Sequence, residues 1–272
     1  MVVPALALTG FAGNSLLCRL ALAEARIDAA SFTAVRLISG ALVLALIVRG
    51  RPRGEAAAGG WTSAAALFAY ATLFSYAYVR IGAGVGALAL FCAVQATMLG
   101  TAIVQGERPR PAVWLGLALA LGGLAGLAAP GASAPDPVSV AVMVLAGVAW
   151  AIYTLRGRGP GDPLVTTARN FTLTVPLAVV LAAAFGDGLH ASPRGLLLAT
   201  GSGALASGVA YSLWYAALRG LTTAQAAIVQ LLVPVLAAAG GILLLREQLT
   251  PRLFVAGAAI LAGVARAVRP RR

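Results

Sequence analysis

The second half of this chain repeats features of the first half. Residues 100–123 match residues 240–263 at a spacing of 140, and the matched positions carry the same residue types: Gly100 and Gly240, Glu107 and Glu247, Pro111 and Pro251, and Gly123 and Gly263. A second match joins residues 8–19 to residues 145–156 at a spacing of 137. The two spacings differ because loops have changed length, but the order of features is kept. A duplicated, very apolar chain is typical of transporters built from two structural repeats.

The composition indicates a protein that lives in a lipid bilayer. Apolar residues make up 60% of the 272 residues, charged residues make up 10%, and the mean hydropathy is +0.92. A soluble domain usually carries about 25% charged residues. The two cysteines, Cys18 and Cys92, both lie inside apolar runs, which does not favour a disulfide framework.

The positive charge has two readings. A net charge of +12 can indicate nucleic-acid binding when the basic residues form one patch. Here every basic residue is an arginine, and most arginines lie between the apolar runs. Loop charge on a membrane protein accounts for this distribution, so we expect no nucleic-acid partner.

Ten runs are long and apolar enough to cross a bilayer, since a spanning helix needs about 20 such residues. We predict helices at residues 2–23, 30–48, 61–79, 84–105, 111–128, 137–155, 164–184, 194–215, 222–245 and 251–268. Several runs begin with proline, which suits the first turn of a helix: Pro111, Pro137, Pro163, Pro193 and Pro251.

The arginines predict the orientation. Eleven lie on the side of the N-terminus: Arg49, Arg51, Arg53, Arg108, Arg110, Arg156, Arg158, Arg219, Arg269, Arg271 and Arg272. Five lie on the other side: Arg26, Arg80, Arg194, Arg246 and Arg252. The positive-inside rule then places both termini in the cytoplasm and the loop with His190 outside. We expect a multi-pass protein of the inner (plasma) membrane.

Each half holds five predicted spans, an odd number, so the second half enters the membrane in the opposite sense. The predicted fold is therefore an all-α membrane protein of ten transmembrane helices in two inverted five-helix repeats, residues 1–136 and residues 137–272. Two such repeats can exchange conformations, which gives alternating access to a central site.

Short motifs resemble those of the EamA branch of the drug/metabolite transporter superfamily. The pairs Gly106-Glu107 and Arg246-Glu247 resemble the family's Glu at the end of the fourth span in each repeat. The segment from Asp28 to Arg36 resembles its D-P-x-x-F-x-x-x-R motif, and the segment from Asp162 to Arg169 is a weaker match, one residue shorter. Pro234 matches the usual mid-membrane proline, which the first half lacks. The resemblance implies two five-helix repeats and export or import of amino acids, metabolites or drugs.

Arg36 is the most informative candidate for a substrate site. It lies about 6–9 residues into its span, or roughly 9–13 Å from the membrane surface. A charge at that depth costs several kcal/mol in lipid and should face protein or water. Two interpretations remain open: an anchor for a substrate carboxylate or other anion, or a structural arginine bonded to carbonyl groups.

Other polar and aromatic residues at membrane depth are further candidates to line the cavity. They are Asn14, Gln95, Asn170 and Gln230 as amides, and Tyr70, Phe74 and Tyr211 as aromatic walls. Each amide has the alternative of a hydrogen bond between helices. Tyr78 and Tyr215, near span ends, are expected in interfacial belts, and Arg19 and Arg156 are expected to reach towards the interface.

No acidic residue falls at the middle of a predicted span, and the chain has no lysine and hence no P-loop. A proton relay based on carboxylates is therefore not favoured over a uniporter or an exchanger. No nucleophile or metal-ligand motif indicates an enzyme, and we predict no cofactor or metal site. The predicted function is a secondary transporter of a small organic solute, such as an amino acid or a drug-like compound. A non-transporting scaffold or sensor, or an intramembrane enzyme, is the alternative.

Overall fold

We describe a computed structural model of the chain. It describes residues 2–49, 60–106, 134–157, 161–186, 191–221 and 232–251, together with scattered residues within 108–122, 226–230 and 253–259. The predicted fifth and tenth spans lie mostly outside the described residues, and so do Glu107 and His190.

The described part of the chain is a bundle of α-helices. In chain order these are α1 (Val2–Ala23), α2 (Ala29–Ile47), α3 (Trp61–Tyr78), α4 (Ala83–Val104), α5 (Pro137–Arg156), α6 (Pro163–Phe185), α7 (Pro193–Gly203), α8 (Ala210–Leu218) and α9 (Leu232–Leu245). A π-helical segment, Ala204–Val209, joins α7 to α8 without a break. Predicted spans one to four and six to eight each coincide with a described helix, and α9 is part of the ninth.

Six of these helical stretches are long and apolar enough to cross a membrane: α1, α2, α4, α5, α6 and the continuous stretch Pro193–Leu218. The third predicted span, α3, is not among them. Its 18 residues include three tyrosines, two serines and two threonines, which lower its mean hydropathy. Several of these polar side chains face other helices, as described below.

Helix starts follow from capping residues in the sequence. Asp28 accepts a hydrogen bond from the Ser31 backbone N–H at the start of α2, and Asp162 accepts one from Leu164 at the start of α6. Ser192 does the same for Gly195 at the start of α7. Such caps satisfy backbone donors that have no partner within the helix. Pro137, Pro163 and Pro193 each occupy the first turn, as predicted.

Helices from the two halves of the chain pack against each other. The most extensive contacts join α2 to α6 and α3 to α5, followed by α4 to α5 and α4 to α9. Helix α1 packs against α7, α8 and α9. The interior is therefore formed by both halves together.

The stretch around the π-helical segment lies unusually close to α2. A Cβ atom placed on Gly203 would overlap the Arg36 carbonyl oxygen and the Ser39 hydroxyl, so this position requires glycine. Gly40 on α2 is similarly pressed by the Phe171 ring of α6. Small residues thus let α2 approach its neighbours closely at the depth of Arg36.

The loop after α9 contacts the first half of the chain through Glu247. The carboxylate accepts hydrogen bonds from the Ala83 backbone N–H at 2.8 and 3.0 Å, and it lies 3.6 Å from Arg19 Nε. Gly82 offers no side-chain cap at the start of α4, so Glu247 satisfies that helix end from the other half. Arg246 has a left-handed backbone (φ 54°), which turns the chain at this point.

Candidate functional site

Arg36 lies in the interior of the bundle. It is the eighth residue of α2, and its exposed fraction is 1%. The Asp28 cap and the close packing of Gly40 fix the position of α2 along its axis. The Arg36 side chain therefore faces other parts of the protein, as a charge within an apolar helix should.

Hydroxyl groups from both halves of the chain surround the Arg36 guanidinium. Its Nε donates to Ser207 Oγ at 3.1 Å, and its Nη2 donates to the Tyr211 hydroxyl at 2.7 Å and to the Tyr70 hydroxyl at 3.3 Å. Its Nη1 is buried and has no hydrogen-bond partner in the described part of the protein. Both N–H donors of Nη1 are thus left unused.

No carboxylate balances the charge of Arg36 among the described residues. The ion pairs found there are Arg19 with Glu247 and Arg26 with Glu24. Instead, the guanidinium carbon lies 5.2 Å from the centre of the Tyr70 ring and 5.0 Å from that of Phe74. The negative faces of aromatic rings attract a cation, but they do not neutralise it.

Asn14 of α1 connects the hydroxyl groups around Arg36 to α7. Its Nδ2 donates to the Tyr70 hydroxyl at 3.2 Å, and its Oδ1 accepts from the Ser202 hydroxyl at 2.6 Å. Asn14, Arg36, Tyr70, Phe74 and Tyr211, all candidates from the sequence, therefore form one buried cluster. We call it the Arg36 cluster.

Aromatic side chains form a wall beside the Arg36 cluster. Trp150 of α5 lies 5.0 Å from Tyr70 and 4.6 Å from Tyr211, measured between ring centres. Phe11 lies 5.3 Å from Trp150, and Phe171 lies 5.8 Å from Tyr211. Trp150, Phe11, Phe171, Ser202 and Ser207 were not predicted as site residues.

Asn170 of α6 occupies the same position relative to its helix start as Arg36 of α2. Both lie eight residues after the capping aspartates, Asp28 and Asp162. Asn170 is completely buried and neither polar atom of its amide has a hydrogen-bond partner in the described residues, whereas Arg169 is exposed.

The two glutamine candidates lie in different settings. Gln230 Oε1 accepts from Trp150 Nε1 at 2.9 Å, and its Nε2 donates to the Ala226 carbonyl at 3.3 Å. Gln230 therefore touches the aromatic wall. Gln95 on α4 is buried with its Oε1 unpaired, and no hydrogen bond joins it to the Arg36 cluster among the described residues.

One expectation about span ends needs correction. Tyr78 and Tyr215 are not in interfacial belts, because both are buried, with Tyr78 packed on Gly86 and Tyr215 packed on Gly157. Arg19, which we expect to reach towards the interface, makes specific contacts with α3. It donates to the carbonyl oxygens of Tyr78 and Val79 at 2.9 and 3.0 Å, at the end of α3.

Two of the cavities formed by the described residues open at helix ends. One, of about 270 Å³, lies between the end of α5, the start of α6 and the end of α8, and includes Thr166, one turn before Asn170. The other, of about 560 Å³, lies between the end of α1, the starts of α2 and α5, and the end of α3. At the rim of the larger cavity, hydrogen bonds from the Ser139 hydroxyl and backbone N–H lower the pKa of Asp136.

Comparison with known proteins assigns the family. The sequence profile described as "EamA-like transporter family" matches residues 138–269. An uncharacterised protein of Pseudomonas aeruginosa, PA1977, is 53% identical over 272 residues, which cover 100% of this chain and 95% of that protein. Residues 138–269 of the chain are an EamA-like transporter family domain. The resemblance to the drug/metabolite transporter superfamily is supported by this match.

A solved crystal structure has the same overall fold as this EamA-like protein. The two superpose with a TM-score of 0.72 over 97% of this chain and 96% of the other, at 20% sequence identity. At that identity the likeness concerns the fold alone. The EamA-like domain and the six apolar helical stretches together support a multi-pass membrane protein of a transporter type.

Proposed function

We propose that this EamA-like protein is a secondary transporter that moves a small organic solute across the inner membrane. In this proposal, residues 1–136 and residues 137–272 form two inverted repeats that alternately open a central site to each side. The termini are cytoplasmic, and Asn14, Arg36, Tyr70, Phe74, Gln95, Asn170, Tyr211 and Gln230 line the site.

One observation carries the proposal. The buried charge of Arg36, on a helix of the first half, is held by Ser207 and Tyr211 from the second half. Movement of one half relative to the other would change the surroundings of this charge, as alternating access requires. A buried polar cluster between two repeats is where transporters of this kind bind their solutes.

The pairing of helices and the position of the cavities support the repeat. Helix α2 packs on its predicted counterpart α6, and α4 packs on its counterpart α9. One cavity lies at the α5–α6 junction and the end of α8, whereas the other lies at the equivalent α1–α2 junction and the end of α3. Equivalent elements of an inverted repeat lie on opposite sides of the membrane. The two cavities are therefore placed as two entrances to one site, one from each side.

Reconstitution tests the transport function. Purified protein in liposomes should accumulate or release solutes from a metabolite mixture, and protein-free liposomes should not. Arg36→Ala should abolish this flux while the protein still inserts, and Arg169→Ala, at an exposed arginine, should retain it. Absence of flux for every solute in the mixture would favour a scaffold or sensor.

Accessibility of the two glutamines tests the solute pathway. We expect single cysteines at Gln95 and Gln230 to react with a small hydrophilic thiol reagent from both sides of the membrane. Transported solute should slow both reactions. If both positions stay unreactive, with or without solute, the solute pathway does not pass between α4 and the predicted ninth span.

A further inference from the structure

We infer that the Arg36 cluster binds a small organic anion with one charged group, such as a carboxylate, attached to a flat aromatic body. This inference rests on the proposed function, because it names the class of solute that the transporter would carry. It depends on the charge balance of the cluster and on the chemistry of its walls.

The charge balance calls for an anion. Arginine keeps its proton under all ordinary conditions, so Arg36 remains positive when it is buried. Ser207, Tyr70 and Tyr211 offer neutral hydroxyl oxygens, which solvate the guanidinium but leave its charge unbalanced. Nη1 remains a buried donor without an acceptor among the described residues. A bound carboxylate would supply both the missing acceptor and the missing charge.

The same balance argues for a single negative charge and against a zwitterion. Arg36 is the one charged side chain among the buried residues that the structure describes. The other polar members and neighbours of the cluster, Asn14, Asn170 and Gln230, are neutral. A second negative charge would lack a partner, and so would the ammonium group of an amino acid.

The walls favour an organic body over a small inorganic ion. The cluster member Phe74 and the neighbouring rings of Phe11, Phe171 and Trp150 lie with their centres 5.0–5.8 Å from that of Tyr70 or Tyr211. Aromatic walls of this kind stack well on a flat unsaturated ring. Chloride would be attracted by the charge of Arg36 but would make none of these apolar contacts.

A matched set of ligands tests the inference. The probes are 3-phenylpropionate, its neutral amide 3-phenylpropanamide, the zwitterion L-phenylalanine, and chloride. Each is titrated into the purified full-length protein, and binding is followed by tryptophan fluorescence, since Trp150 lies against the cluster, and by thermal stabilisation. We expect 3-phenylpropionate to bind at least about tenfold more tightly than the other three, as the loss of a charged hydrogen bond predicts.

Two arginine variants assign the effect to the cluster. Arg36→Gln should remove the preference for the acid over the amide, whereas Arg169→Gln should keep it. If Arg36→Gln does not fold, the test compares Arg36→Lys with the wild type by the ratio of their affinities for the acid and for the amide. Lysine keeps the charge but lacks the planar fork, so the preference should shrink without disappearing.

Several outcomes would overturn the inference. They are equal binding of acid and amide by the wild type, tighter binding of phenylalanine or chloride, absence of binding by every probe, or a preference that survives Arg36→Gln. Flux measurements separate this from the proposed function. Flux of neutral solutes only would overturn the anion assignment but support the transport function. Anion binding without any flux would support the anion assignment but overturn the transport function.

Discussion

Tyr70 is the residue that joins the two parts of the polar cluster. Its hydroxyl oxygen accepts hydrogen bonds from both Asn14 and Arg36. Removing the hydroxyl leaves two buried donors without this acceptor, and one of them is charged. The aromatic contacts with Phe74 and Trp150 would be retained, so the polar contribution can be measured separately.

We expect Tyr70→Phe to lower the free energy of unfolding by about 1.5–3 kcal/mol, the usual value for a hydrogen bond to a charged group. Tyr76→Phe is the matched control, because Tyr76 lies on the same helix but is 41% exposed. Thermal unfolding in detergent measures both variants. Equal stabilities would show that the Tyr70 hydroxyl does not hold the cluster together.

The sequence could identify Arg36 but only some of its partners. Its depth in an apolar run was sufficient, because a charge there must face protein or water. Ser207 could not be singled out, since a small hydroxyl residue in an apolar helix usually bonds its own backbone. Asn170 was proposed, but its match to Arg36 depends on the helix start at Asp162, which only the cap geometry fixes.

The close approach of α2 to the end of α7 depends on one glycine. We expect Gly203→Ala to destabilise the protein by about 1–3 kcal/mol, since an added methyl group would force two backbones apart. Gly201→Ala is the control, because its nearest neighbour, a Leu17 methyl carbon, lies at 3.9 Å. That change should be neutral or stabilising by up to about 1 kcal/mol through helix propensity. Thermal unfolding of the two variants in one detergent compares them directly, and a tolerated Gly203→Ala would contradict the tight packing.

Helix positions were largely predictable, and departures from regular helix were not. Apolar runs and proline starts located α1, α2, α4, α5 and α6 to within a residue or two of their observed ends. The π-helical segment leaves no mark in hydropathy, because it changes the angle between successive side chains and not their polarity. Which helices pack together also depends on tertiary contacts that no single run encodes.

Glu247 links the two halves of the molecule at one end of the bundle. Glu247→Gln should destabilise the protein by up to about 2 kcal/mol, because the negative charge at the α4 start and beside Arg19 is lost. Glu24→Gln, in the exposed pair with Arg26, should cost less than about 1 kcal/mol. Thermal unfolding at low salt compares them. Equal effects would mean that Glu247 contributes no more than a surface charge.

The predicted orientation of the whole molecule can be checked by labelling. On a background with Cys18 and Cys92 replaced by alanine, single cysteines at Arg49 and Arg219 should react with membrane-impermeant reagents from the cytoplasmic side only. Cysteines at Glu24 and Arg80 should react from outside only. Outside labelling at Arg49, or cytoplasmic labelling at Arg80, would contradict the orientation and the inverted repeat that depends on it.

The π-helical segment sets the rotational phase between two parts of one long helix. Ser202, before the segment, faces Asn14, while Ser207 and Tyr211, within and after it, face Arg36. If the same residues formed regular α-helix throughout, the part after the segment would turn by about 100° relative to the part before it. The helix could then satisfy Asn14 or Arg36, but not both. The wider π turn thus accommodates one residue and orients the two parts of a single helix towards two partners.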